Sequence, residues 1–143
     1  MTQDHFDKLI RMYAKAPINE FYQPHMQLEK AKSVISLTIT PKMLHSGHGV
    51  HGSVYFKLLD DAAFFAANSI ETQFFVLTSD FHIRLLRPIA QGKLIATGWV
   101  AHAGRKNILA HAELRDDLGN LISSGQGCFT RSNMPLNADC GYA

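Results

Sequence analysis

The residues best suited to chemistry are His51, Gly52 and Ser53 followed, nine residues after the histidine, by Asp60 inside an otherwise apolar run reaching Asn68. An aspartate within such a run has poor helix propensity, and burying its charge without partners costs several kcal/mol or raises its pKa. Proton transfer or nucleophilic attack is a reason to keep it there. The glycine-containing loop ahead of it reads as turning directly into a helix whose first N–H groups are unpaired and whose positive dipole end faces outward. Such an end stabilises a developing negative oxygen, as on a carbonyl under attack, and losing one donor of this kind typically costs about 3 kcal/mol of barrier. Asp60 lies about two turns farther on, at ~1.5 Å per residue, and could reach the same substrate if a second copy of the chain packs alongside.

The elements around this helix are predicted as follows. Phe6, Leu9, Ile10 and Tyr13 recur at helical spacing with Thr2 placed to cap, giving an amphipathic helix from residue 3 to about 15, ended by Pro17. Met26 to Thr40 turns strand-like, with Val34, Ile35, Leu37 and Ile39 before Pro41, as one bent strand or two short ones. After the helix of 52 to about 68 come four strands, Phe74–Arg87, Lys93–Ala103, Asn107–Asp116 and Asn120–Arg131. The turns at Gly104–Lys106 and Asp116–Gly119 are short enough for hairpins, so the later strands should run antiparallel. A single long apolar helix among these strands is best buried by wrapping the sheet around it, an α+β architecture.

A chain of 143 residues with 46% hydrophobic and 18% charged side chains fits one globular domain, 1–143. It has no apolar stretch near the roughly 20 residues that span a bilayer and no secretory signature in Met1–Ile10, so neither membrane nor export is expected and the cytoplasm is the predicted compartment. A net charge of +2 lacks the dense basic stripe that nucleic acid requires. Cys128 and Cys140 stand in no metal or redox spacing, and the small polar residues 134–143 read as a loose tail.

Taken in order, His51-Gly52-Ser53, Asp60, Thr78-Ser79-Asp80, Leu86-Arg87-Pro88 and Gly104-Arg105 resemble the hotdog-fold acyl-coenzyme A thioesterases, most closely the phenylacetic acid degradation type, over residues 22–131. The resemblance implies an antiparallel curved sheet wrapped around a long central helix, here preceded by an N-terminal helix within 1–20. It implies a homodimer, often paired again into a homotetramer, with active sites along the shared interface, acyl-coenzyme A as substrate and no separate cofactor. By position, Asp60 would be general base or nucleophile, Gly52 the oxyanion donor from the neighbouring chain, and Thr78 the hydroxyl that orients water. Where the family commonly has Asn, six residues before the His-Gly pair, this chain has His45, whose imidazole N–H can still donate. Ser53 replaces the usual second glycine and reads as an N-cap.

Other readings compete residue by residue. Asp61, rotated about 100° from Asp60, can pair with Lys57 at i,i+4 and reads as ordinary surface chemistry, whereas Asp60 takes the catalytic role. His45, His48 and His51 recur every three residues, but no metal site is expected: an oxyanion partner, a loop hydrogen bonder and a residue at the helix start account for them. Arg84, Arg87, Arg105 and Lys106 are each ordinary surface charges, yet as a set they could meet the coenzyme A phosphates. Phe56, Phe64, Phe65, Phe74, Phe75 and Trp99 are read mainly as packing. Two further functions stand beside hydrolysis: a noncatalytic acyl thioester-binding module, which retention of Asp60 disfavours, and a hotdog dehydratase or hydratase, whose histidine-bearing loop motif is not found.

Overall fold

The computed structural model describes residues 2–143; Met1 lies outside them. Helix α1 (Thr2–Lys15) and the short α2 (Asn19–Tyr22) precede a hairpin of β1 (His25–Glu29) and β2 (Lys32–Thr38). A loop then leads into α3 (Gly52–Asn68), followed by β3 (Phe74–Leu85), β4 (Lys93–Ala103), β5 (Asn107–Asp116) and β6 (Leu121–Pro135). The strands form one antiparallel sheet in the order β1-β2-β4-β5-β6-β3, curved around α3 as the resemblance implies.

Helix α3 forms the spine because its sequence is apolar nearly all round. Leu58, Leu59, Ala62, Ala63, Ala66 and Ala67 are all fully buried. The alanine stripe lets the sheet come close: a Cβ on Gly98 of β4 would sit 2.3 Å from the Ala62 carbonyl group, so glycine is required there. Ser33 of β2 closes the same contact by donating its hydroxyl to the Ala62 carbonyl at 2.5 Å. Buried Ile35, Leu94, Ile108, Leu114, Ile122 and Phe129 complete the core on the sheet's inner face.

Of the two alternatives for Met26–Thr40 the second holds: two short strands, joined as a hairpin at Lys30–Ala31 with Ala31 in the left-handed region at φ 64°. Three local expectations are corrected. Thr2 lies inside α1 rather than capping it. Strand β6 continues four residues beyond Arg131, paired with β3 as far as Phe74. Residues 136–143 are not loose: a 3-10 turn at Ala138–Cys140 folds them back onto α1, where the buried His5 contacts the Tyr142 hydroxyl at 2.7 Å and Arg11 donates to the Ala143 carbonyl at 2.7 Å. The same fold-back brings residues 138–141 to a cavity beside α3.

Candidate active site

Asp60 sits halfway along α3 and half-buried, facing edge strand β3. The Thr78 hydroxyl donates to its Oδ1 at 2.8 Å. Thr78 gains this aim at a bulge, since the β3–β6 register shifts between Thr78 and Asp80 while the Ser79 hydroxyl bonds the Cys128 carbonyl across the ladder. Burial pushes the Asp60 carboxyl up to about 6, the neighbouring Asp61 charge adds to the rise, and the Thr78 hydroxyl and Lys57 ammonium partly oppose it. A carboxylate held there titrates near neutrality, the range suited to a general base.

Asp61, one residue on, corrects the surface reading. It does pair with Lys57, at 2.6 Å, but both side chains are largely shielded, and the buried Tyr13 of α1 donates its hydroxyl to the same Oδ2 at 2.7 Å. The Lys57 ammonium also lies over the Tyr13 and Tyr22 rings, at 5.2 and 5.1 Å. Burial and the Asp61 carboxylate push the Tyr13 phenol up, so it remains a neutral donor. Asp61 thus accepts from two donors on one oxygen, whereas the partner found for Asp60 is one hydroxyl.

Both carboxylates border a cavity of about 690 Å³. Phe64, Phe65, Phe75 and Leu77 form its apolar walls, and the end of α1 and residues 138–141 close it. Sequence reasoning treated these phenylalanines mainly as packing and left Tyr13 and the tail outside the site. Their joint position depends on tertiary contacts; the only local signal was the Lys57–Asp61 spacing.

Other predicted residues gather at the N-terminal end of α3. Gly52 is its first residue, and among the described residues no acceptor is paired with its N–H. His51, not Ser53, is the N-cap: its Nδ1 accepts from the Ser53 N–H at 3.0 Å and faces the Ser53 hydroxyl at 2.8 Å. His45 folds over its own loop, with Nδ1 accepting from the Gly47 N–H at 2.9 Å, so the proton of the neutral ring lies on Nε2 and can be donated. His48 turns the loop in the left-handed region at φ 67°, and the three histidines do not converge on one point; among the described residues no cluster of three His, Cys, Asp or Glu side chains is placed to hold a metal. Gly52 and Asp60 are eight residues apart on one helix, roughly 12 Å at ~1.5 Å per residue, so a single chain does not bring them onto one carbonyl.

The four cations likewise form two groups rather than one. Arg84 and Arg87 lie where β3 ends, beside the start of α3, with Tyr55 of that helix donating to the Arg87 carbonyl at 3.0 Å. Arg105 and Lys106 occupy the β4–β5 turn, level with the beginning of β3 through the pairing of Asn107 with Thr130 and Thr130 with Leu77.

The sequence profile of the thioesterase superfamily matches residues 47–123, more than half of the chain, spanning His51, Gly52, Asp60 and Thr78. The chain belongs to the thioesterase superfamily. Its fold, the hotdog fold, is shared with the PaaI protein of the Escherichia coli phenylacetic acid degradation operon at TM-score 0.85 and 23% identity, covering 94% of this chain and 97% of that one. A variant of the phenylacetic acid degradation protein PaaI from Thermus thermophilus matches at TM-score 0.75 and 18% identity, over 82% and 100% of the two chains. A variant of a Staphylococcus aureus thioesterase enzyme matches at TM-score 0.75 and 22% identity, over 80% and 98%. No curated protein matches the chain in sequence. No helix among the described residues is long and apolar enough to cross a membrane.

Proposed function

We propose that this superfamily member hydrolyses acyl-coenzyme A thioesters to the free acid and coenzyme A. The observation that carries the reading is the Asp60 carboxylate, raised to about 6 by burial, held by the Thr78 hydroxyl and set on the wall of a largely apolar cavity. Asp60 takes a proton from water, Thr78 orients both, and the hydroxide oxygen attacks the thioester carbonyl. The C–S bond then breaks, and the thiolate leaves with the electron pair. Direct attack by Asp60, through a mixed anhydride, uses the same placement.

The Gly52 N–H of the same helix is too far along it to serve a carbonyl at Asp60, so the oxyanion donor is taken from a second chain. Edge strand β3 supports a two-fold pairing: it is twelve residues long, with Leu77 and Leu85 exposed at 46% and 57%, and Phe56 of α3 exposed beside it at 40%. Such a homodimer would bring the Gly52 N–H of one protomer to Asp60 of the other, with the His45 Nε2 proton as a second donor. It would also reunite Arg84 and Arg87 with the opposite Arg105 and Lys106 around the coenzyme A phosphates. A dimer of dimers is compatible with this pairing.

A thiol-release screen with phenylacetyl-, hexanoyl- and palmitoyl-coenzyme A tests the proposal, with Asp60→Asn as control. Release by the wild type and not by the variant is expected. Binding of the thioesters without release would instead favour the acyl thioester-binding module.

A further inference from the structure

One side chain holds the turn carrying Arg105 and Lys106 from beneath. Arg131 of β6 donates from Nη1 to the carbonyls of Gly104 at 2.5 Å and Arg105 at 3.0 Å, while its backbone N–H reaches the Lys106 carbonyl at 3.0 Å. Successive carbonyls of the turn are therefore drawn inward, and the Arg105 and Lys106 side chains are left exposed. Glu71 grips Arg131 in turn: its Oε1 accepts from Arg131 Nε at 2.8 Å, and its Oε2 accepts from the N–H groups of Gln73 at 2.7 Å and Phe74 at 3.0 Å.

Glu71 is only 9% exposed. Burial would raise its carboxyl, but the two N–H groups and the Arg131 guanidinium outweigh that and hold it below the ordinary value. The network continues through the fully buried Asn68, which donates to the Glu71 and Phe74 carbonyls, both at 3.1 Å, and accepts from the Val76 N–H at 3.0 Å. Val76, two residues before Thr78, is held by Asn68 rather than by Glu71 or Arg131, so that part of β3 keeps its own anchor while the ion pair serves the turn.

A shielded ion pair adds little net stability over an apolar replacement, and its value lies in fixing one geometry. Here that geometry is a turn with two exposed cations. An unrestrained turn of this kind would lose conformational entropy on meeting an anion; a clamped one has already lost it in folding. From Thr78 the turn is two strands across and a few residues along, on the order of 15 Å, within reach of an extended pantetheine arm. We infer that Glu71 and Arg131 are positioning residues that preset the Arg105–Lys106 turn for the phosphates of the coenzyme A moiety, an inference that rests on the thioesterase reading above.

The test is calorimetric titration of coenzyme A into the full chain and into Glu71→Gln, Arg131→Lys, the pair Arg105→Ala with Lys106→Ala, and their combinations. Arg131→Lys keeps a cation beside Glu71 but loses the fork. Glu71→Gln and Arg131→Lys should each weaken coenzyme A binding roughly five- to tenfold, and should add nothing once Arg105 and Lys106 are removed, because they act through those cations. Hydrolysis of phenylacetyl-N-acetylcysteamine, which carries no phosphate, should keep its wild-type kcat/KM. Unchanged coenzyme A affinity, the same loss without Arg105 and Lys106, or an equal loss with the N-acetylcysteamine thioester would each overturn the inference. A wild type that binds coenzyme A but hydrolyses no thioester defeats the hydrolase reading alone; one that hydrolyses phenylacetyl-coenzyme A and binds coenzyme A equally well with Glu71→Gln or Arg131→Lys in place defeats the inference alone.

Discussion

The wall of α3 that faces α1 and the wall that faces β3 each carry a carboxylate, one residue apart in sequence. On the α1 side, Asp61 receives an ammonium and a phenol at 2.6 and 2.7 Å, both on Oδ2, which tie it to α1 and to its own helix. On the β3 side, Asp60 receives one hydroxyl at 2.8 Å and shares a cavity wall with phenylalanine rings. Equal chemistry thus divides by partner count into a structural anchor and the carboxylate we propose as reactive, and the anchor's negative charge helps raise its neighbour's pKa.

The largest effect should come from Asp60→Asn. Thiol release should fall by roughly a thousandfold or more, as for loss of a base or nucleophile. The same variant should be more stable at neutral pH. Asp60 has its folded pKa raised to about 6, so the folded state favours the protonated form, and stability present below the unfolded value of 3.8 is lost as pH rises toward and through 6. Removing that ionisation should return about 1–2 kcal/mol at pH 7, a few degrees in Tm by thermal melting, and the gain should vanish near pH 4. A variant that is inactive and also less stable at pH 7 would mean that Asp60 is anchored like its neighbour.

Thr78→Val should lower kcat by roughly tenfold and move the acid limb of the pH–rate profile upward, since the hydroxyl favours the ionised carboxylate. Asp61→Asn should move that limb the other way, to lower pH, because the charge that opposes Asp60 ionisation is removed. The two limbs diverging in opposite directions from about 6 is the sharpest form of the contrast; limbs that move together would erase it. Tyr13→Phe should have the smallest effect on turnover, with about 1 kcal/mol of stability lost in denaturant titration, because it deletes one donor to the anchor and leaves Lys57 in place.

Much of this architecture was readable because local and tertiary preferences agree. The apolar run bounded by Gly52 and Asn68 is the observed α3, and Lys93–Ala103 and Asn107–Asp116 are found with the bounds that their turn residues set. The Lys30–Ala31 turn was missed because alanine carries no left-handed signal, and the tail was missed because its hold on α1 rests on contacts between residues more than a hundred positions apart, such as His5 with Tyr142. At the site, the helix run and the family spacing singled out Asp60. Asp61 looked solvated because a helix wheel shows Lys57 but not Tyr13, and His51 went unread as a cap because imidazole caps through a ring nitrogen that only the backbone geometry exposes.

Whether one protomer's Asp60 works with the other's Gly52 is tested most directly by mixing two inactive chains. Gly52→Pro deletes the N–H at the first helical position, where proline is tolerated. Separately, Asp60→Asn and Gly52→Pro should each be inactive in thiol release from phenylacetyl-coenzyme A. Co-folded in equal amounts they should regain about a quarter of wild-type activity, since half of the two-fold dimers would carry one intact composite site. Heterodimers that form but stay inactive would contradict the shared site.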